Sequence, residues 1–232
     1  MLDWRTELSE LIRGNEEYAT FNKRIVKTSR TVIGVRMPDL RKLAKKVAKE
    51  IDGFGEMQNF LRGVNPEVFE EVMLSGLVLN AVKLSSAEHI ALTREYLEPV
   101  DSWAEIDVFV EKKPKYATEE YWDFAREMAR TDKEFYVRYS VIAFMSNFLD
   151  TEHLHDVFAA LRSLGNDAYY VKMAAAWLYA EAAVNFYDKT IAELAKPDID
   201  PWTRRKAYQK MLESYRITDM QKREIREMRT TK

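Results

Sequence analysis

The chain has 232 residues, of which 47% are hydrophobic and 32% are charged, and its formal net charge at pH 7 is −2. This composition excludes a disordered or collagen-like chain, and the absence of cysteine excludes disulfides, Cys-ligated metal sites and a thiol nucleophile. The sequence has no signal-peptide pattern at its start and no apolar run of about 18 residues, which predicts a cytoplasmic protein without a membrane span.

Apolar residues recur at helical spacing through nearly all of the chain. The clearest stretch begins at Pro38, a residue type favoured in the first turn of a helix, and predicts an amphipathic helix. Its apolar positions are Leu40, Leu43, Ala44, Val47, Ala48 and Ile51. Capping-box spacing predicts helix starts at Ser85 with Glu88 and at Thr218 with Gln221. Other predicted starts are Thr118, Thr151 and Asp188. No alternating strand pattern appears, so the chain is predicted to be all-α.

A weak internal repeat with a period of 34 residues extends the helical prediction to a fold. The segment that begins at Tyr136 resembles the one that begins at Tyr170, and stepping back by the same interval reaches Ser102 and then Val68. Such a period is typical of stacked helical hairpins, which form an α-solenoid with a concave groove, although helices of similar length could also coincide by chance. No linker-like segment divides the chain, and residues 1–232 are predicted to form a single domain.

Charge is unevenly distributed along the chain. Residues 1–50 carry 12 basic and 7 acidic side chains, residues 51–110 carry 3 and 11, and residues 201–232 carry 10 and 4. If the two basic ends share a face they would bind a polyanion, because Lys and Arg at phosphates supply most non-specific affinity for nucleic acids. Ordinary solvated helix faces would give the same counts.

Trp103 and Asp107 are four residues apart and therefore share one face of the predicted helix. A carboxylate beside an indole can stabilise a developing cation and orient a water molecule. The alternative is a packing tryptophan next to a solvated aspartate. Likewise, Arg138 could contact a phosphate or pair with Glu134, and Trp177 could line a site or fill the core.

Metal-dependent and nucleotide-dependent chemistry find little support in the sequence. His153 and His155 are two residues apart and point about 200° away from each other on a helix, so they cannot readily chelate one ion. No serine nucleophile elbow, P-loop or dinucleotide fingerprint is present. The sequence therefore predicts neither a metal site nor a cofactor.

Taken together, these motifs resemble the AlkD-like DNA alkylation repair family, solenoids of HEAT-like helical-hairpin repeats whose active members are DNA glycosylases. The resemblance covers nearly the whole chain. The segments that carry it are residues 34–44, Ser102-Trp103 followed by Asp107, Val137-Arg138, residues 171–177 and residues 207–215.

The resemblance implies a cofactor-free enzyme that hydrolyses the N-glycosidic bond of purines alkylated on a ring nitrogen, the class of 3-methyladenine and 7-methylguanine, in duplex DNA. It implies Asp107 as the catalytic carboxylate, with Trp103 and Trp177 as indoles of the site. The expected DNA-binding residues are Arg138, Lys172, Arg204, Arg205, Lys206 and Phe21, the last at the position of an aromatic hydroxyl, close to Tyr18. A monomer is expected. The alternative is a non-catalytic helical-repeat module of the same family that binds DNA or a protein.

Overall fold

A computed structural model describes residues 2–12, 14 and 16–230, and of Thr230 only the backbone. Fourteen α-helices and one short 3-10 helix form this part of the chain. The α-helices are α1 (Trp4–Glu10), α2 (Glu16–Val26), α3 (Met37–Ala48), α4 (Gly53–Gly63), α5 (Phe69–Ala81), α6 (Ser86–Leu97), α7 (Trp103–Phe109), α8 (Glu119–Ala129), α9 (Glu134–Asn147), α10 (Leu154–Arg162), α11 (Tyr169–Asn185), α12 (Tyr187–Leu194), α13 (Pro201–Glu213) and α14 (Asp219–Thr230). The 3-10 helix is Pro114–Tyr116.

The prediction of an all-α fold is confirmed. Within the described residues the only extended pairing is an isolated parallel bridge between Thr31 and Val68. The predicted capping boxes at Ser85 and Thr218 are present, and Thr118 is the N-cap of α8. The helices expected after Thr151 and Asp188 begin instead at Leu154 and Tyr187.

The chain divides into two compact units, residues 1–110 with α1–α7 and residues 111–232 with the 3-10 helix and α8–α14. In the first unit α5 packs against α3, α6 and α7. In the second unit α11 packs against both α9 and α13, and α8 packs against α9. The single domain over residues 1–232 stays a prediction.

The predicted repeat is visible in the positions where alternate helices begin. Helices α5, α7, α9, α11 and α13 start at intervals of 31 to 35 residues, close to the period of 34 read from the sequence. They include the most apolar helices, and every residue of α5 from Phe69 to Asn80 is buried. A helix that is apolar on all sides must be covered by neighbours. Helices α3, α8 and α10 are amphipathic and bury one face only. This alternation of enclosed and amphipathic helices confirms the helical-hairpin prediction.

Helices α5 and α6 approach each other closely at Gly76. A Cβ atom at this position would lie 2.7 Å from Cζ of Tyr96, whose ring is fully buried. Glycine is therefore required here by the packing of the Tyr96 ring and not by its backbone conformation.

No helix within the described part of the chain is both long enough and apolar enough to cross a membrane.

Candidate active site

The site residues of the first unit depend on how α7 begins. Ser102 is the N-cap and forms a capping box with Glu105: the Ser102 N–H donates to Oε2 of Glu105 (3.0 Å), and Ser102 Oγ accepts from Ala104 N–H (3.3 Å). The Ser102 hydroxyl also donates to the carbonyl of Val26 at the end of α2 (2.6 Å). With only seven residues, α7 is too short to be stable alone, so these contacts fix where it starts.

A buried charge network ties the same turn to the segment that follows α2. Arg30 is buried and forms an ion pair with the fully buried Glu105, and its Nη1 lies 3.3 Å from Oδ1 of Asp101. Asp101 accepts hydrogen bonds from Thr28 Oγ1 (2.6 Å) and from the Ser29 N–H (2.9 Å).

The two carboxyls of this network respond to burial differently. Burial raises the pKa of Glu105 to about 7, although the Arg30 guanidinium opposes the shift. Burial acts in the same direction on Asp101, but the hydrogen bonds from Ser29 and Thr28 outweigh it and hold the pKa of Asp101 below its ordinary value. Asp101 is therefore ionised at neutral pH, whereas Glu105 is poised close to its titration point.

Trp103 and Asp107 lie one turn apart on α7 and both line a cavity of about 240 Å³ in the first unit. The indole Nε1–H of Trp103 donates to the carbonyl of Ile25 on α2 (3.3 Å), which fixes the ring plane. Both side chains are partly buried. The prediction that they share one helix face is confirmed, and the structure adds that this face borders an open space.

Helix α2 supplies part of the cavity lining. Tyr18, Asn22 and Ile25 recur at steps of four and three and line it together. The guanidinium of Arg36 lies 4.6 Å from the centre of the Tyr18 ring, a cation–π contact. Phe21 is 49% exposed and is absent from the cavity lining. The aromatic residue of α2 that lines the cavity with Trp103 is thus Tyr18, which the sequence indicated only as a neighbour of Phe21.

Glu70 is a second carboxyl in the cavity wall, and sequence reasoning missed it. It is buried at the start of α5 and accepts hydrogen bonds from the backbone N–H groups of Ile33 (2.9 Å) and Gly34 (2.8 Å). Gly34 has φ +84°, a conformation that favours glycine. Burial raises the pKa of Glu70 despite these hydrogen bonds. Only the fold reveals this residue, because its partners lie more than 30 positions away.

Trp177 lies in the second unit, in the middle of α11, and is partly buried. Its indole Nε1–H donates to Oε1 of Glu181 one turn later (3.2 Å). The Lys210 ammonium of α13 lies 5.9 Å from the ring centre, so the face of the indole is already in an electropositive environment.

Arg138 is only 4% exposed, and its Nη1 donates to the carbonyl of Tyr170 (2.7 Å). In this structure the guanidinium therefore connects α9 to the start of α11 and offers little surface to a phosphate. Arg204 also bonds to backbone, because its Nη2 donates to the carbonyl of Lys196 (2.6 Å) in the loop before α13.

The remaining predicted DNA-binding cations lie closer to the surface of the second unit. Arg205 is exposed, and Lys206 is partly buried with its Nζ donating to Oε1 of Gln209 (3.0 Å). Lys172, near the start of α11, holds its Nζ 5.6 Å from the centre of the Trp202 ring on α13. Lys172 and Arg205 thus belong to neighbouring helix starts.

A family model described as DNA alkylation repair enzyme matches residues 5–211 of the chain. The chain belongs to the DNA alkylation repair enzyme family. This finding confirms the family resemblance, and membership supports a role in DNA repair, a catalytic activity and DNA as the substrate. A search of curated proteins finds no match.

The matched segment includes Trp103, Asp107 and Trp177. Within the described residues of this family member, no group of three or more His, Asp or Glu side chains is arranged to hold a metal ion. The chemistry available in the cavity of the first unit is that of two carboxyls, an indole, a phenol and an amide.

Proposed function

We propose that this protein is a DNA glycosylase that hydrolyses the N-glycosidic bond of ring-nitrogen-alkylated purines in duplex DNA, a first step of base excision repair. The observation that carries the proposal is the placement of Trp103 and Asp107 one turn apart on α7, both lining the same cavity. Membership of the DNA alkylation repair enzyme family supports it.

A cationic alkylated purine requires modest assistance to leave. As the bond between C1′ and the ring nitrogen breaks, its electron pair stays with the base, which departs neutral, and positive charge develops on the deoxyribose. A carboxylate near C1′ stabilises that charge, and it orients the water whose oxygen then bonds to C1′. The proton released by this water passes to the carboxylate or to solvent. We assign this role to Asp107.

The indoles and cations have supporting roles in the proposal. Trp103, held by its hydrogen bond to Ile25, offers a rigid face to the deoxyribose, and Trp177 packs against the DNA backbone. Lys172, Arg205 and Lys206 contact phosphates. A phosphate contact by Arg138 stays a prediction. In the proposal Arg138 positions the start of α11 through its hydrogen bond to the Tyr170 carbonyl. Arg204 and Phe21 likewise stay predicted DNA contacts.

Substitution of Asp107 by asparagine tests the proposal, because the amide keeps the shape of the side chain and removes its charge. We expect base release from duplex DNA containing 7-methylguanine to slow at least tenfold, about 1.4 kcal/mol of activation free energy. Asp123→Asn is the matched control: Asp123 is an exposed helical aspartate on α8 that pairs only loosely with Arg126 (3.7 Å). Single-turnover release and circular dichroism should be measured for all three proteins.

Full activity of Asp107→Asn would reject Asp107 as the catalytic carboxylate. Absence of base release by the wild type, together with retained and salt-sensitive binding of the same duplex, would favour the non-catalytic DNA-binding module. Absence of both release and binding would favour a protein-binding module.

A further inference from the structure

An aromatic residue recurs in the first turn of five alternate helices. The five residues are Phe69 of α5, Trp103 of α7, Phe135 of α9, Tyr169 of α11 and Trp202 of α13. In the first unit Phe69 is buried and Trp103 lines the candidate active site. Of the three residues at this repeat position in the second unit, Tyr169 is exposed and Phe135 and Trp202 are partly buried.

In the second unit Phe135, Tyr169 and Trp202 form, together with Tyr170, a continuous row of rings. This row is here called the aromatic ridge. Phe135 and Tyr170 are stacked with ring centres 6.1 Å apart. Tyr169 meets Tyr170 edge-on at 5.2 Å and meets Trp202 edge-on at 5.8 Å. The ridge therefore crosses the starts of the three alternate helices α9, α11 and α13 without interruption.

The ridge is exposed at one of its rings and half-covered at the others. Tyr169 is 56% exposed, and Phe135, Tyr170 and Trp202 are partly buried. Adjoining aromatic side chains that reach the surface are typical of a binding site. Mutual edge contacts hold the rings in place, so a planar ligand would meet a preformed surface.

Two cations lie near the ridge, and two of the acids near it accept backbone hydrogen bonds. The Lys172 ammonium lies 5.6 Å from the Trp202 ring centre, and Arg205 is exposed one turn after Trp202. Glu134 accepts the Tyr170 N–H (3.1 Å), and Asp200 accepts the N–H of Thr203 as the N-cap of α13 (2.7 Å). Rings flanked by cations match the alternation of bases and phosphates in an unpaired strand, since bases stack on aromatic faces without sequence preference.

We infer that the aromatic ridge binds single-stranded DNA, with bases stacked on Tyr169 and Trp202 and phosphates next to Lys172 and Arg205. This interaction goes beyond the proposed excision of bases from duplex DNA. Unpaired strands of this kind occur in replication and repair intermediates.

Binding of a fluorescein-labelled oligothymidylate to the full chain tests the inference by fluorescence anisotropy at low salt. Base–aromatic stacking contributes enough that Tyr169→Ala should weaken binding at least about fivefold, whereas Tyr169→Phe retains the ring and should bind like the wild type. Tyr215→Ala is the matched control, because Tyr215 is a fully exposed tyrosine of the same unit that lies outside the ridge. Affinity should fall as salt rises.

Intrinsic fluorescence gives a second readout. Oligothymidylate should quench tryptophan emission, and Trp202→Phe should remove most of that quenching. The inference is overturned if the oligomer does not bind at low salt, if Tyr215→Ala weakens binding as much as Tyr169→Ala, or if Trp202→Phe leaves the quenching unchanged. Asp107→Asn should bind the oligomer like the wild type, so failure of the proposed catalytic role and failure of this inference are distinguishable.

Discussion

Arg30→Met is the most informative perturbation of the scaffold that holds the candidate active site. Methionine retains much of the apolar volume of the arginine stem and removes the guanidinium that pairs with the fully buried Glu105. Glu105 would remain bonded to the N–H groups of Asp101 and Ser102 (both 3.0 Å) but would lose its cation. The buried carboxylate at the start of α7 would then lack charge compensation.

The free energy of unfolding lost in Arg30→Met depends on whether Glu105 is ionised. Removal of one partner from a buried ion pair costs about 3–5 kcal/mol when the other charge remains. A carboxyl whose pKa is already raised to about 7 can avoid that cost by binding a proton. In the protonated state only the hydrogen bond from Arg30 is lost, about 1–2 kcal/mol.

The pH dependence follows from linkage. When a carboxyl has a higher pKa folded than unfolded, the native state holds a proton that the unfolded chain has released, and stability falls as pH rises between the two values. In the wild type this fall ends near pH 7, where Glu105 ionises beside Arg30. In Arg30→Met the pKa of Glu105 in the folded state is higher still. Stability therefore continues to fall above pH 7, by about 1.4 kcal/mol per pH unit. The loss of stability should therefore be about 1–2 kcal/mol at pH 6 and about 2 kcal/mol larger at pH 8.5.

Urea unfolding, followed by tryptophan fluorescence at pH 6 and pH 8.5, measures this difference. The matched control is the double variant Arg30→Met with Glu105→Gln, in which neither charge is present and the excess loss at high pH should disappear. A stability difference that is the same at both pH values would refute the assignment of Glu105 as the titrating group. So would an undiminished pH dependence in the double variant.

Two further substitutions test local packing. Gly76→Ala should destabilise the protein by about 1–3 kcal/mol in thermal unfolding, because the added methyl group overlaps the buried ring of Tyr96; an unchanged melting temperature would show that the ring can move aside. Ser102→Ala removes the N-cap of α7 and the hydrogen bond to the Val26 carbonyl, and should cost about 1–2 kcal/mol in urea unfolding, with Ser102→Thr expected to retain part of the capping contribution.

Local signals in the sequence predict a large part of this fold. The capping boxes at Ser85 and Thr218 rest on residues three positions apart, and the helix that contains Leu40 rests on a regular apolar spacing. The repeat period was read from segments 34 residues apart, such as those at Tyr136 and Tyr170, and alternate helices start at a similar interval. The shared face of Trp103 and Asp107 is likewise a consequence of helical geometry at a separation of four residues.

Long-range contacts account for what the sequence did not predict. The pairing of Arg30 with Glu105 joins residues 75 positions apart, and the N–H groups that bind Glu70 come from residues 36 and 37 positions earlier. Arg138 is a further case: its sequence context left a phosphate contact and a pair with Glu134 open, and its bond to the Tyr170 carbonyl, 32 positions away, was not predicted. Spacing along one helix cannot show which charged groups the packing encloses.

The position of Asp107 thus depends on residues that take no part in the proposed chemistry. Helix α7 has seven residues, fewer than an isolated helix needs, and Asp107 is its fifth. Ser102 and Glu105 fix the first turn to the end of α2 and to Arg30, while the Trp103 indole fixes the same turn to Ile25. Helix α2 also carries Tyr18, which lines the same cavity. The contacts that fix the first turn of α7 to α2 therefore also position Asp107 in this cavity, so a substitution that loosens this turn should affect both stability and the geometry of the proposed catalytic group.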